Sequence, residues 1–487
     1  MGQWLALVMF GIFMVLIVVG YPVAFSFALT GAVFMVIGLE TDEIRLNSMK
    51  AVGSNWWSYV TGSQGQTLLA VPFFVFMGSI FEKSGQAERL LVACGRLMGP
   101  LRGGVALTVV AVGTMLAAAT GVVAATVVMM GMISLPAMIR YGYDHRLATG
   151  VIVASGTLAQ LIPPSLVLLV LASNSKDVTV GELFRGAMVP GLLLAGLYAL
   201  YVVYVAITSP EKAPALPLEE RRLFQGRQLA KESVIAIVPP ILLILCVLGA
   251  IFQGIATPSE VGSVGAVVAC LLALFNGRLT WSVISGASRS TANITGLVMM
   301  MLFASNFFSK VFQELGGQNL IEDWLSNVPG GKWGFIIIAN IAVFLLGVNL
   351  EFLEISFIVM PLFVPVAAAL GIDPVWFMVT LAVNLNIAFI SPPVGFSLFY
   401  LQSVKPPEVK TIDIHRGALP FCALQMVALV ICIAVPGVVT WLVDSENVDW
   451  GVLGNSAGRW IAIAVLVAVA LWFFVRPALA RRREQPA

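Results

Sequence analysis

The stretch TLAQLIPPSLVL, residues 157–168, places two adjacent prolines in the middle of a long apolar run. A second stretch, IAFISPPVGFSL at residues 387–398, repeats this arrangement in the other half of the chain. A proline has no backbone donor and its ring clashes with the preceding helical turn, so a proline pair breaks a helix. The sequence therefore predicts two broken helices in matching places, and this pairing decides the fold.

The composition is typical of a helical membrane protein. Of the 487 residues, 59% are hydrophobic and 11% are charged, whereas about 25% are charged in a soluble domain. Apolar segments of spanning length recur along the chain, which predicts an all-α polytopic membrane protein. The net charge of +2 gives no basis for nucleic-acid binding, and two histidines and five scattered cysteines show no metal-ligand spacing. We therefore expect that the protein has no cofactor and is not an enzyme.

Apolar runs between charged or turn-rich breaks predict two halves with the same order of elements. The first half, 1–209, contains scaffold helices within 1–83, an amphipathic arm at 86–98, a hairpin at 104–139, a broken helix at 145–174 and a closing helix at 184–208. A cytoplasmic linker at 210–231 leads to the second half, 232–443, with its hairpin at 333–370 and its broken helix at 375–403. Residues 444–487 are predicted to add a transmembrane helix and a basic tail.

The runs 104–139 and 333–370 could each be two spanning helices or one re-entrant hairpin. If both are re-entrant, the basic loops face one side of the membrane and the acid-rich loops face the other. Because basic loops favour the cytoplasm, we predict two re-entrant hairpins, with the N-terminus outside and the C-terminus in the cytoplasm.

The two halves keep a nearly constant offset, since Pro163 and Pro392 lie 229 residues apart and Gly121 and Gly347 lie 226 apart. Each half has five predicted spans and one hairpin, and an odd number of spans inverts the second half. Inverted repeats with broken helices are typical of secondary transporters. Non-helical backbone at membrane depth needs protein or a polar cavity around it, so the tips and breaks should converge near the midplane.

Polar and small residues at these four places are the candidate binding residues. In the first half they are Thr120, Gly121, Thr126, Ser155, Gly156, Thr157, Gln160, Pro163 and Pro164. In the second half they are Gly347, Asn349, Glu351, Asn384, Asn386, Ser391, Pro392, Pro393 and Gly395. The alternative for the small residues is close packing of helices. Glu354 competes with Glu351 in the second hairpin, where one carboxylate of the pair could instead anchor the hairpin by hydrogen bonds to a neighbouring helix.

These side chains offer neutral oxygens and include no lysine or arginine. Hydroxyl, amide and carbonyl oxygens suit Na⁺ as a coupling ion, and an anionic substrate would then be held by helix N-termini and bound cations. We expect sodium near Thr120, Gly121, Gly156, Thr157, Gly347 and Asn386.

Four motifs in this order resemble the large membrane subunit of tripartite ATP-independent periplasmic (TRAP) transporters. They are LLAVPFFVFMGSIFEKSG (68–85), GTLAQLIPPS (156–165), LGIDPVWF (370–377) and SPPVGFSLF (391–399). The resemblance implies a sodium-driven elevator importer of small organic acids in a bacterial inner membrane. It also implies a periplasmic N-terminus, contact with membrane lipid, a periplasmic substrate-binding protein and a small four-helix membrane subunit.

Two features depart from the family pattern. The first hairpin tip of the family often reads SGSS, whereas residues 120–123 are Thr, Gly, Val and Val, so backbone carbonyls would have to replace two hydroxyls. The extra helix at 457–476 cannot by itself supply a four-helix subunit, which we therefore expect as a separate chain. A single-component, ion-coupled elevator transporter of organic anions is the alternative, because it would share the hairpins and broken helices.

Overall fold

The structure is a computed structural model. It describes residues 2–444 except 174, 176–177, 218–226, 327 and 349. The described residues form helices and connecting turns, with no strand among them. Asn349 and the predicted helix at 457–476 with its basic tail lie outside the described residues.

The first half folds into ten helices. They are α1 (Gly2–Val19), α2 (Val23–Glu40), α3 (Leu46–Thr61), α4 (Ser63–Lys83), α5 (Gln86–Met98), α6 (Gly104–Thr120), α7 (Val123–Arg140), α8 (His145–Thr157), α9 (Leu166–Ser173) and α10 (Val180–Thr208). The sequence did not predict α3, because LNSMKAVGSNWWSYVT is too polar to be recognised as a span. The arm α5 bends away from α4 by 59°.

In the described part of the second half, the first helices are again followed by an arm, a hairpin, a broken helix and a closing helix. Its helices are α11 (Arg227–Phe252), α12 (Pro258–Phe275), α13 (Trp281–Glu314), α14 (Gly317–Ser326), α15 (Gly331–Gly347), α16 (Phe352–Ala369), α17 (Pro374–Ile390), α18 (Phe396–Val404), α19 (Thr411–Ala434) and the short α20 (Gly437–Thr440). Among the described residues, nine helices are long and apolar enough to cross a membrane: α1, α2, α7, α10, α11, α12, α13, α16 and α19.

Both broken helices begin in the same way. Gly142 and Gly371, which lie 229 residues apart, have positive φ of 79° and 63°. An aspartate follows each glycine two residues later and caps the helix. Asp144 accepts hydrogen bonds of 3.0 Å from the amides at the start of α8, and Asp373 accepts one of 2.7 Å from the amide of Trp376. The two halves thus share turn chemistry, while their inversion across the membrane stays a prediction.

The helices pack as two groups. The frame group consists of α1–α4 and α11–α13, and the site group consists of α6–α10 and α15–α20. The arms lie between them: α5 contacts α6 and α11, and α14 contacts α1 and α16. The hairpins and broken helices therefore belong to one packed body and most of the long exposed helices belong to the other.

Several helix pairs join the two groups, because α4 packs against α6 and α9, and α13 packs against α16. Gly78 of α4 lies so close to the first hairpin tip that a methyl group there would sit 2.6 Å from the Cα of Thr120. On α10, the Arg185 guanidinium donates a hydrogen bond to the carbonyl of Phe252 at the end of α11. Any sliding of the site group against the frame group would have to break both contacts.

Candidate functional site

The first hairpin turns at Gly121, whose φ of 62° ends α6 in a left-handed conformation. The hydroxyls of Thr120 and Thr126 meet across this turn at 3.1 Å. The Thr120 hydroxyl also donates to the carbonyl of Leu116 in α6, and the Thr126 hydroxyl donates to the carbonyl of Val122 just before α7, each at 2.9 Å. A side chain at Gly121 would lie 3.0 Å from the carbonyl oxygen of Pro164, so the tip rests on the first break.

The first break is long and sealed. After α8 ends at Thr157, a single 3₁₀ turn covers Leu158–Gln160, and α9 begins only at Leu166. The Ser165 hydroxyl donates to the Gln160 carbonyl at 2.5 Å. Every residue from 155 to 165 is buried. The site candidates Pro163 and Pro164 are joined here by a cis peptide bond.

Two side chains at the first break lack partners. Neither amide atom of Gln160 has a hydrogen-bond partner among the described residues, and the Ser155 hydroxyl has none there either. Both side chains are fully buried, and an unsatisfied buried polar group costs about 1–3 kcal/mol. Gly156 differs, because a side chain there would collide with Val127 of α7; it serves close packing.

The second hairpin tip lies against α17. A methyl group at Gly347 would be 2.5 Å from the Cβ of Ala388, between the asparagines and the second break. A Glu354 carboxylate oxygen accepts the amide hydrogen of Glu351 at 3.0 Å, which caps α16. Glu354 therefore caps the start of its own helix, while anchoring of either carboxylate to a neighbouring helix stays a prediction; Glu351 is the half-buried carboxylate at the very start of the helix.

The second break is shorter and more open. It covers residues 391–395, with the cis pair Pro392–Pro393 and with Gly395 at φ 31°. The Ser391 hydroxyl donates to the carbonyl of Ile387 at 2.7 Å. Pro393 is exposed, so this break reaches the surface of the described structure.

The two asparagines of α17 have different environments although both are buried. Asn384 donates from Nδ2 to the carbonyl of Asn340 on α15 at 2.6 Å, which ties the broken helix to the hairpin. Both amide atoms of Asn386 lack partners among the described residues. Asn386 and Gln160 are thus the fully buried carboxamides with two unsatisfied atoms, one in each half.

Helices from the two halves interleave around the breaks. Helix α17 packs against α8 and against the 3₁₀ turn that carries Gln160, and α18 packs against α7. A methyl group at Gly131 of α7 would lie 2.7 Å from Leu401 of α18. The predicted site residues that the structure describes therefore gather within the site group.

This gathering of two hairpins and two broken helices accompanies a match to a known family. The family described as "Tripartite ATP-independent periplasmic transporter, DctM component" matches residues 10–438. The chain belongs to this family. It is therefore the large permease component of a TRAP transporter and a multi-pass membrane protein, and its family is one of transporters.

Named relatives of the permease cover most of its length. It is 32% identical to the C4-dicarboxylate TRAP transporter large permease protein DctM of Pseudomonas aeruginosa, over 85% of this chain and 92% of that protein. It is 27% identical to the sialic acid TRAP transporter large permease protein SiaM of Vibrio cholerae, over 85% and 94%. It is also 27% identical to the isethionate TRAP transporter permease protein DctMQ of Oleidesulfovibrio alaskensis, over 88% of this chain and 65% of that longer protein.

Solved structures share the fold of the permease. The YdaH transporter of Alcanivorax borkumensis superposes with a TM-score of 0.60 at 14% identity, over 82% of this chain and 90% of that chain. The Neisseria gonorrhoeae protein MtrF gives 0.53 at 12% identity, over 80% and 83%. At these identities the likeness concerns the fold alone.

Sequence reasoning missed four residues that contact the site of the permease. Asn340 accepts the bond from Asn384. On α19, Gln425 donates to Tyr198 and Thr157, and Cys422 donates to the carbonyl of Ile390. Polar residues in otherwise apolar helices were the available signal, but the partner of each depends on which helices face one another.

Proposed function

We propose that this permease imports a small organic anion together with Na⁺, and that the site group moves against the frame group in an elevator-type transport cycle. The observation that carries the proposal is the pair Gln160 and Asn386. Each is a fully buried carboxamide with both polar atoms unsatisfied among the described residues, and each lies beside a helix break. Buried polar groups are normally hydrogen-bonded, so this pair supports a polar ligand at the breaks.

Helix termini at the site favour an anion. Helices α7, α9, α16 and α18 begin at the two tips and the two breaks. A helix N-terminus carries unsatisfied amide hydrogens and about half a positive charge. Because the proposed site residues include no lysine or arginine, these N-termini and bound Na⁺ would neutralise the substrate.

The oxygen donors at the breaks favour Na⁺. The hydroxyls of Thr120 and Thr126 and the amide oxygen of Asn386 are neutral, and break carbonyls can complete such a set. Na⁺ is the coupling ion that these ligands suit, near Thr120, Gly121, Gly156, Thr157, Gly347 and Asn386.

The named relatives support an organic acid as substrate. Their names give a C4-dicarboxylate, sialic acid and isethionate, which are all organic anions of modest size. We infer a carboxylate, keto or hydroxy acid, or sulfonate as the cargo of this permease.

The tripartite family description supports two protein partners. We propose a periplasmic binding protein that delivers the substrate and a small four-helix membrane subunit that contacts the frame group. The permease would lie in the bacterial inner membrane with its N-terminus in the periplasm and its C-terminus in the cytoplasm, surrounded by lipid.

The test is uptake by proteoliposomes that contain the permease and its small subunit. The binding protein is first loaded with an organic acid selected by thermal shift, since a bound ligand raises stability by mass action. We expect uptake only when an inward Na⁺ gradient and the loaded binding protein are both present. Uptake that persists without the Na⁺ gradient would disprove sodium coupling. Equal uptake of free substrate without the binding protein would favour a single-component transporter instead.

A further inference from the structure

A polar bridge connects the two breaks through a helix that carries none of the predicted site residues. It consists of Gln425 and Cys422 on α19 and Tyr198 on α10. The Gln425 side chain is fully buried, as are Tyr198 and Thr157. The hydrogen bonds of these residues extend to both halves of the chain.

The first arm of the bridge reaches the first break. Gln425 Nε2 donates to the Tyr198 hydroxyl at 2.7 Å and to the Thr157 hydroxyl at 3.3 Å. Thr157 is the last residue of α8, and its own proton goes to the carbonyl of Ala154 at 2.8 Å. The Thr157 oxygen therefore serves as an acceptor for Gln425, and the end of α8 is held at a fixed position.

The second arm reaches the second break. Cys422 lies three residues before Gln425, so the two side chains share a face of α19. The Cys422 thiol donates to the carbonyl of Ile390 at 3.3 Å, and Ile390 is the last residue of α17 before the break. One face of α19 thus contacts the residue that ends each broken helix.

The surrounding packing makes this face rigid. Gly150 of α8 and Gly417 of α19 approach so closely that neither position has room for a side chain. At the end of the same contact, Arg146 pairs with Asp413 at 3.6 Å. Tyr198 also packs edge-on against Phe421 at 5.4 Å. These contacts give a packed path from one break through α19 to the other.

From these contacts we propose that Gln425 and Tyr198 are positioning residues that couple the two half-sites, so that a ligand ordering one break also orders the other. Neither residue needs to touch the ligand. The proposed coupling rests on the contacts described and not on the identity of the ligand. Its consequence for Na⁺ dependence rests on the proposed function.

The first experiment needs no transport. Hydrogen–deuterium exchange is measured on the full-length permease in lipid nanodiscs, as wild type, Tyr198→Phe, Gln425→Leu and Tyr201→Phe. Tyr201 is the matched control, because its ring also packs edge-on against Phe421, at 5.2 Å. We expect faster exchange in peptides covering both 155–162 and 384–391 in the first two variants, and wild-type exchange in Tyr201→Phe. Faster exchange at one break alone, or the same change in Tyr201→Phe, would overturn the proposal.

The second experiment measures uptake in the same variants as a function of Na⁺ concentration. Because a bridge variant leaves buried donors or acceptors without partners, we expect the Na⁺ concentration for half-maximal uptake to rise about tenfold. The maximal rate at saturating Na⁺ should be retained, whereas misfolding would lower that rate alone. An unchanged half-maximal concentration in Tyr198→Phe and Gln425→Leu would overturn the proposal. If wild-type uptake does not depend on Na⁺, the proposed sodium coupling is wrong. The exchange experiment then still tests whether the bridge couples the two breaks.

Discussion

The two breaks of this permease start from the same sequence pattern and end in different environments. The first covers residues 158–165, is entirely buried, and lies beneath a hairpin tip that contacts α4 of the frame group. The second covers residues 391–395, and Pro393 is exposed. In this one conformation, the first of the two related breaks is therefore buried and the second is partly exposed.

The difference also concerns how polar groups are satisfied. At the first break the hydroxyls of Thr157 and Ser165 bond to nearby carbonyls, whereas the side chains of Gln160 and Ser155 have no hydrogen-bond partner among the described residues. At the second break a hydrogen bond from Asn384 joins the helix to the hairpin, whereas Asn386 has no hydrogen-bond partner among the described residues. Residue type alone therefore does not distinguish the side chains that have hydrogen-bond partners from those that have none among the described residues.

The largest effect is expected at the open break. In Asn386→Leu the unsatisfied amide is replaced by an apolar group, so folding stability should be kept or raised while a ligand contact is lost. A hydrogen bond to a charged ligand is worth about 1.5–3 kcal/mol, or roughly 10- to 150-fold in affinity. Uptake and thermal unfolding of the same samples check this. Asn384→Leu is the control, and it should lower stability because the Asn340 carbonyl loses its partner; the reverse pattern would exchange their roles.

A smaller loss is expected at the sealed break. Gln160→Leu should also keep stability, but a neutral contact is worth only about 0.5–1.5 kcal/mol, or roughly two- to tenfold. The half-maximal substrate and Na⁺ concentrations for uptake are to be measured beside those of Asn386→Leu. Equal losses in the two variants would mean that the half-sites contribute equally, contrary to this comparison.

The two glutamates of the second hairpin should separate stability from transport. Glu354→Ala removes the cap on the Glu351 amide and should lower unfolding free energy by about 1 kcal/mol. Glu351→Gln keeps the cap and should leave stability unchanged while altering Na⁺-dependent uptake. Thermal unfolding and uptake are measured on both; a stability loss confined to Glu351→Gln would assign the anchor to Glu351.

The smallest effect is expected at the first hairpin tip. Besides the bond to the Val122 carbonyl, Thr126→Val removes the 3.1 Å contact with Thr120 across the turn, and the loss of this contact should cost only about 0.5 kcal/mol of stability, the low end for a neutral hydrogen bond. Thr114→Val is the matched control, because its hydroxyl bonds only along its own helix, to the carbonyl of Val110 at 2.8 Å. Denaturation midpoints compare the two, and equal shifts would show that the contact across the tip adds nothing.

The helix breaks and the positions of the hairpin turns could be predicted because each depends on local chemistry, whereas the re-entrant course of the hairpins stays a prediction. Proline pairs interrupt a helix wherever they occur in one, and the turn glycines 121 and 347 mark the hairpin tips. The helix α3 could not be predicted, since its polar residues give no spanning signal. The sequence also could not predict that the Asn384 side chain has a hydrogen-bond partner whereas that of Asn386 has none among the described residues, because this depends on where the Asn340 carbonyl lies. The same holds for Gln425, whose partners come from helices 227 and 268 residues away.

The contact between Gly78 and Thr120 offers a way to weigh conformations against each other. A single carbon atom added at position 78 collides with the first hairpin tip only while that tip lies against α4. Gly78→Ala would therefore destabilise the arrangement in which the tip and α4 are in contact, and under the proposed elevator cycle it would shift the populations away from that arrangement. The size of the shift between wild type and variant would give the free energy of this one contact.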